Sequence, residues 1–308
     1  MLKSKLMITA GMLVLCLAAA SLADVIVETK VDMDIIGAGK MNVNQIQYVR
    51  GDRSYDKTTS KMAGGMMGGK EMVNVQIVRL DKGATYLLDP DKKTYRETSM
   101  KTMKGTMKSM QKGQAEQTVD DEYEWTTEVS TDIGTEKIMD FKCQGSRVKL
   151  TGVKKDDPKD TVFITFEQWI SDNLPGGDEF LAFSEKYAES IGIEPGFLNQ
   201  MSMNPMLSKY GGQFDEVAEQ MKDIKGMPLK TVFIVEGTVN PMGEQMGGEE
   251  IDEETRQMMK QMGIEIPGTE KPEGGYHKLV SMTSEVSKIE KKKTDDTQYD
   301  IPEGYTKK

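Results

Sequence analysis

The amino-acid sequence predicts an α+β fold in which helices cover one face of an antiparallel β-sheet. Segments that alternate apolar and polar residues follow one another with short turn signals between them, which is typical of β-hairpins. Other segments repeat apolar residues at helical spacing, so that each helix presents one apolar stripe. Because no strand–helix–strand unit is found, we expect the sheet to be antiparallel and the stripes to lie on it.

The clearest predicted strands form a meander in the first third of the chain. Residues 72–80 alternate with a period of two, and the next turn predicts a hairpin because Gly83 can adopt a positive φ angle. Residues 84–88 and 94–98 complete the meander across a turn that contains Pro90. The same alternation predicts further strands at residues 25–36, 41–49, 123–129, 138–152, 161–170, 229–236 and 276–289.

Amphipathic helices are predicted at residues 99–112, 180–191 and 214–224. The first has four methionines on one face, and Gly105 in its middle costs about 1 kcal/mol relative to alanine, so this helix needs packing. The stripe residues that we expect to face the sheet are Met100, Met103, Met107, Met110, Phe180, Phe183, Phe214 and Met221.

Residues 1–23 are expected to be a signal peptide. A basic start precedes the apolar segment Leu6–Leu17, which is too short to span a bilayer stably. Ser21 and Ala23 supply the small residues of a cleavage site. Cleavage between Ala23 and Asp24 predicts a periplasmic or secreted protein with no membrane-spanning segment.

The remaining residues 24–308 are expected to form one domain with a helix-rich insert at about 176–275. This part of the chain keeps one cysteine, Cys143, and therefore cannot form an internal disulfide. Apolar neighbours on a predicted strand indicate that Cys143 is a small buried hydrophobe, and a reactive thiol is the alternative.

Composition excludes several classes of function. The chain has 50 acidic and 40 basic residues and a net charge of −10, which argues against a nucleic-acid partner. Its single histidine, His277, excludes metal sites built from several histidines. No nucleophile elbow, zinc-protease helix motif, P-loop or dinucleotide-binding glycine run is found. We therefore expect neither an enzyme nor a cofactor.

The order of several short motifs resembles an uncharacterised family of exported bacterial domains, which is similar to the LolA-like periplasmic carriers that sort lipoproteins. The resemblance is clearest over residues 24–100 and 275–308. The motifs that carry it are Tyr48-Val-Arg-Gly-Asp-Arg53, Ile77-Val-Arg-Leu-Asp81, Tyr86-Leu-Leu-Asp-Pro-Asp-Lys-Lys-Thr-Tyr95, Phe141-Lys-Cys143, Trp169-Ile-Ser-Asp172 and Ile301-Pro-Glu-Gly-Tyr305.

The resemblance implies a curved, half-open barrel with helices as a lid over a hydrophobic cavity. In such carriers an arginine on an early strand holds the lid; Arg53 is the nearest match here, and Arg50 is a second candidate. The implied function is a non-catalytic carrier or sensor for a lipid, an acyl chain or another apolar moiety. Trp125 and Trp169 join the helix stripes as candidate ligand contacts, because an aromatic ring can line such a cavity.

Two other functions remain open at this stage. Thioethers bind Cu(I), and the methionines that suit a copper site outside the helix stripes are Met66, Met67, Met201, Met203 and Met206. Methionine also fills irregular cores and adaptable cavities, which explains the same residues without a metal. The third possibility is a module that binds another envelope protein and has no small ligand.

Overall fold

The computed structural model describes residues 24–36, 39–63, 69, 71–115, 122–193, 225–238 and 275–308, and only the backbone of residues 110–115. The predicted signal peptide, the predicted helix at 214–224 and much of the predicted insert lie outside the described residues. Within the described part, neither helix is long and apolar enough to cross a membrane.

Most of the described chain is β-strand, and two α-helices interrupt it. The helices are α1 (Met100–Ala115) and α2 (Gly177–Ile191). The strands are β1 (Asp24–Ile35), β2 (Gly39–Arg50), β3 (Arg53–Ala63), β4 (Glu71–Arg79), β5 (Ala84–Asp89), β6 (Thr94–Ser99), β7 (Tyr123–Ser130), β8 (Thr135–Ile138), β9 (Phe141–Lys154), β10 (Thr161–Ser171), β11 (Met227–Gly237), β12 (His277–Lys292) and β13 (Thr306–Lys307).

All described strands belong to one sheet with the order β13-β6-β5-β4-β3-β2-β1-β12-β11-β10-β9-β7, and β8 pairs with β9. The pairs are antiparallel except for β13 beside β6. The two ends of this order do not pair within the described residues, so the sheet is not closed into a barrel. The prediction of an α+β fold with a large open sheet is confirmed. Strand β11 lies inside the predicted insert, yet it is an interior strand between β10 and β12.

Side chains along the central strands alternate between two faces of the sheet. Val25 and Val27 of β1 lie on the face that the helices contact, which we call the helix face. Asp24 and Ile26 lie on the opposite face. We call it the strap face, because the chain between β12 and β13 crosses it; we call that segment, residues 293–305, the strap.

The helices begin and end where the sequence provides local signals. The backbone N–H of Met100 donates to the carbonyl of Gly83, which fixes the start of α1 beside the β4–β5 turn. Gly83 itself has a φ of 61°, as the hairpin signal predicts. Helix α2 ends at Gly192, whose φ of 75° is a left-handed conformation that favours glycine. Helix α1 begins one residue later and ends three residues later than predicted, and helix α2 begins three residues earlier than predicted.

The strap was not predicted. It contains a short 3-10 turn at Asp296–Tyr299 and ends in β13, where Thr306 pairs with Thr94 of β6. Tyr305 packs with Tyr55 and other aromatic residues on the strap face. The last residues of the chain therefore connect the middle of the sheet to one of its edges.

Candidate functional site

A buried apolar cluster fills the interface between the helices and the sheet. Met100 of α1 and Phe183 of α2 are 6% and 2% exposed, and they belong to one cluster with Val25, Val49 and Leu229. These sheet residues come from β1, β2 and β11, which α2 contacts directly. The cluster excludes water, and among the described residues it contains no catalytic side-chain arrangement.

Several predicted site residues meet at this cluster. Met103, Phe180 and Trp169 are half-buried and pack against it. Met107 is half-buried one turn further along α1. The ammonium of Lys230 lies 4.9 Å from the centre of the Trp169 ring, a cation–π contact that fixes this ring. The structure therefore brings both helical stripes and one tryptophan together.

Other predicted site residues cannot be placed. Only the backbone of Met110 is described. The others lie outside the described residues; they are Met66, Met67, Met201, Met203, Met206, Phe214 and Met221. The copper-binding alternative therefore stays a prediction. Among the described residues, no group of three or more His, Cys, Asp or Glu side chains is arranged to hold a metal ion.

Trp125 lies in a second apolar cluster, formed mainly by β9–β12. It pairs across β7 and β9 with Gly152, and a Cβ atom at Gly152 would lie 2.7 Å from the tryptophan ring. The glycine therefore makes room for the ring. The structure separates Trp125 from the helix stripes, because the two clusters are distinct.

A group of polar side chains on the helix face was missed by the sequence analysis. We call it the polar patch; it consists of Gln45 and Gln47 of β2, Asp56 and Thr58 of β3, and Gln76 of β4. Gln47, Asp56 and Gln76 are direct cross-strand partners. Gln45 Nε2 donates to Asp56 Oδ2, and the Thr58 hydroxyl donates to Asp56 Oδ1 over 2.9 Å.

Helix α2 reaches over the polar patch. Gln76 Nε2 donates to the Tyr187 hydroxyl of α2 over 3.5 Å. Burial raises the pKa of Tyr187 and, separately, the pKa of Asp56. No Lys or Arg in the described part of the chain forms an ion pair with Asp56. The patch is thus a half-buried polar surface with one carboxylate that has hydrogen-bond donors but no cation.

A cleft of about 480 Å³ opens beside the polar patch, at the ends of β4, β5 and β6. Met72 and Leu87 line it, and they are 45% and 42% exposed. Both lie on the helix face, since Met72 pairs with Ser60 and Leu87 pairs with Gln76. Charged side chains line the same cleft, namely Glu71, Asp89, Asp91, Lys92, Arg96 and Lys308, so the cleft is amphipathic rather than apolar.

The structure places Arg53 on the strap face, away from the helices. Its guanidinium lies 5.3 Å from the centre of the Tyr299 ring, and Arg50 lies 5.2 Å from the same ring. Arg53 pairs with Arg79, which donates hydrogen bonds to the Asp300 carboxylate over 2.8 Å and to the Tyr299 carbonyl over 3.3 Å. The arginines therefore hold the C-terminal strap, and neither candidate arginine joins the helix cluster. The alternation on β3 puts odd-numbered residues on the strap face, which is why Arg53 contacts the strap and not the helices.

Asp24 is the centre of this arginine cluster and is fully buried. Arg50 Nη2 and the backbone N–H of Thr294 donate to its Oδ2 over 2.8 and 2.6 Å, and the Tyr299 hydroxyl donates to its Oδ1 over 2.6 Å. Burial alone would raise the pKa of Asp24, but these hydrogen bonds outweigh burial and lower the pKa to about 2. Burial raises the pKa of Tyr299. These contacts anchor the strap to the first residue of β1.

Comparison of this chain with protein-family models gave no match, and comparison with the curated proteins gave none at a significant level.

Proposed function

We propose that the protein is a non-catalytic, exported carrier or sensor that binds an apolar moiety on the helix face. The observation that supports this most strongly is the incomplete cover of that face. Helices α1 and α2 pack over its centre, whereas the exposed Met72 and Leu87 lie in an open cleft beyond them. Exposed apolar side chains that lie together in a cleft give an apolar ligand a surface to bind.

In this proposal the helices act as a lid. Helix α1 contacts α2 and the end of β6, so its hold on the sheet is largely indirect. Met103 and Met107 are half-buried on its inner side. Methionine is flexible at three bonds and can adapt to a ligand or to its absence, which suits a surface that opens and closes.

The test uses N-phenyl-1-naphthylamine, a neutral apolar dye that fluoresces when it leaves water. We expect binding with a Kd of about 1 to 10 μM, which corresponds to roughly −8 to −7 kcal/mol. Leu87→Glu should abolish binding, because it replaces one of the exposed apolar side chains of the cleft by a charged one. Val129→Glu is the matched control, since Val129 is an equally exposed apolar residue on β7, and it should bind the dye normally.

A second pair of variants tests the lid. Met103→Glu should weaken dye binding, whereas Thr106→Glu adds the same charge to an exposed position of the same helix and should have no effect. Circular dichroism should show an unchanged sheet in all four variants. Absence of dye binding to the unmodified protein would contradict the proposed function.

A further inference from the structure

We infer that the polar patch is the headgroup site of the ligand, and that it selects amphiphiles with a protonated amine head over amphiphiles with a carboxylate head. This inference rests on the proposed function, because it needs the neighbouring cleft to hold an apolar tail. It adds the chemical class of the ligand, which composition and fold alone do not supply.

The position of the patch suits a headgroup. Gln76 of the patch pairs with Leu87, and Thr58 pairs with Asn74; both Leu87 and Asn74 line the cleft. Asp56 and Leu87 are thus two strand spacings apart, about 10 Å. A ligand with its head at Asp56 can therefore extend across Gln76 of β4 and lay its tail against Leu87 and Met72.

The buried apolar cluster under the helices also adjoins the polar patch. On β1, the neighbouring strand to β2, Val25 and Val27 face the helices and belong to the buried apolar cluster. Gln47 pairs directly with Val27. The polar patch therefore lies between the apolar cluster under the helices and the amphipathic cleft. Because Val25 and Val27 are buried under the helices, the tail of a ligand lies on the cleft side, against Met72 and Leu87.

The charge of the patch determines which head it accepts. Asp56 is half-buried, and each of its oxygens accepts one hydrogen bond, from Gln45 or from Thr58. A carboxylate offers about four acceptor positions, so about two remain for a ligand. A half-buried carboxylate without a cation is unfavourable, and an ammonium group supplies the missing partner. A second carboxylate would be repelled.

The surroundings of Asp56 support this reading. The two donors of Asp56 hold its carboxylate in one orientation, and they come from strands rather than from loops. Helix α2 contributes the Tyr187 hydroxyl, which accepts a hydrogen bond from Gln76 and is neutral at pH 7, since burial raises its pKa further above the ordinary value of 10.0. The burial that raises the pKa of Asp56 is the same cost that an amine head would reduce.

The experiment measures displacement of bound N-phenyl-1-naphthylamine by dodecylamine, dodecanol and dodecanoate at pH 7, each below its micelle-forming concentration. We expect dodecylamine to displace the dye at a concentration about ten times lower than dodecanoate, with dodecanol between them. Asp56→Asn keeps the size of the side chain and removes its charge, so it should make the three potencies nearly equal.

Asp32→Asn is the matched control. It makes the same charge change on an exposed residue of the opposite face, two strands away, and should keep the amine preference. Butylamine, which has the head but no tail, should not displace the dye. The comparison of the three competitors on the unmodified protein needs no variant, so it decides the inference even if Asp56→Asn does not fold.

The outcomes separate this inference from the proposed function. If the dye binds and the three competitors are equally potent, or if dodecanoate is the strongest, the amine inference is wrong and the apolar site remains. If Asp32→Asn loses the preference as fully as Asp56→Asn does, the preference reflects the overall negative charge and the inference is also wrong. If the dye does not bind at all, the proposed function fails.

Discussion

The Tyr299 hydroxyl donates a 2.6 Å hydrogen bond to the carboxylate of Asp24, although 275 positions separate the two residues. Both side chains are 0% exposed. The same carboxylate accepts hydrogen bonds from Arg50, so the first residue of β1, the last residue of β2 and the strap meet at one group. Because a buried charge is stable only with its partners, this contact is sensitive to small changes.

Asp24→Asn should lower the free energy of unfolding by about 3 kcal/mol, because it leaves the buried guanidinium of Arg50 without its main partner. Urea denaturation measures this change. Asp296→Asn is the control: Asp296 also pairs with Arg50, but its side chain is 82% exposed, so the loss should be under about 1 kcal/mol. Equal losses in the two variants would contradict the assignment of Asp24 as the buried centre.

The lowered pKa of Asp24 predicts an acid-sensitive step. The pKa is about 2 in the folded protein and 3.8 in the reference state, so the ionised carboxylate stabilises the fold above about pH 4. This contribution, about 2 kcal/mol, is lost as the pH falls from about 4 to about 2. Urea midpoints measured across that range should decline less steeply in Asp24→Asn. An unchanged slope would show that Asp24 does not titrate in this window.

Gly105→Ala should stabilise the protein by about 0.5 to 1 kcal/mol, because Gly105 lies inside α1 and a Cβ atom there meets no other atom within 4 Å. Gly83→Ala makes the same substitution, also in open space, but at a φ of 61°. It should destabilise by about 1 kcal/mol. Melting temperatures of the two variants should therefore move in opposite directions, and a shift in the same direction would contradict this explanation.

Gly152→Ala should cost about 1 to 3 kcal/mol, since its Cβ atom would lie within 2.9 Å of three Trp125 ring carbons. A double-mutant cycle with Trp125→Ala checks the cause, because the alanine at position 152 should cost little once the ring is removed. Additive losses would mean that the glycine is needed for another reason. Emission from Trp125, recorded with Trp169 replaced by Phe, should shift to longer wavelength as the ring moves outward.

Cys143 should not react with a thiol reagent in the folded protein. It is 0% exposed, and burial raises its pKa, which reduces the reactive thiolate. A chain that begins at Asp24 contains no other cysteine, so reaction in urea and none in buffer would bear this out. Fast reaction in buffer would favour the reactive-thiol alternative.

The strands of this protein could be predicted because each hairpin carries its own local signal. The alternation of β1 and the meander of β4, β5 and β6 agree with the structure to within one or two residues at each boundary. Strand order could not be predicted from local signals, because β1 pairs with β12, which is far from it in the sequence. Nothing local to either strand specifies that partner, and the two-residue strand β13 is too short to give a pattern.

The candidate site was harder to predict for a physical reason. On β1 the apolar residues Val25 and Val27 face the helices, whereas on β2 the polar residues Gln45 and Gln47 do so. Ile46 and Tyr48 alternate with these glutamines and occupy the strap face. Sequence reasoning assigns the apolar side of a strand to the core, and therefore places the polar patch in solvent. Knowledge of the strap is needed to see that both faces of β2 are covered.

The pairing of β1 with β12 has a consequence for the order in which the molecule can assemble. The middle of the sheet contains the earliest described strand and the last long one, and the contact of Asp24 with Thr294 spans 270 positions. Such high contact order predicts slow folding. A chain that emerges from its N-terminus cannot complete its central strands until nearly all of it is available. We therefore expect the sheet to be completed only after synthesis of the chain has ended. Until β12 is available to pair with β1, the early hairpins form an incomplete sheet.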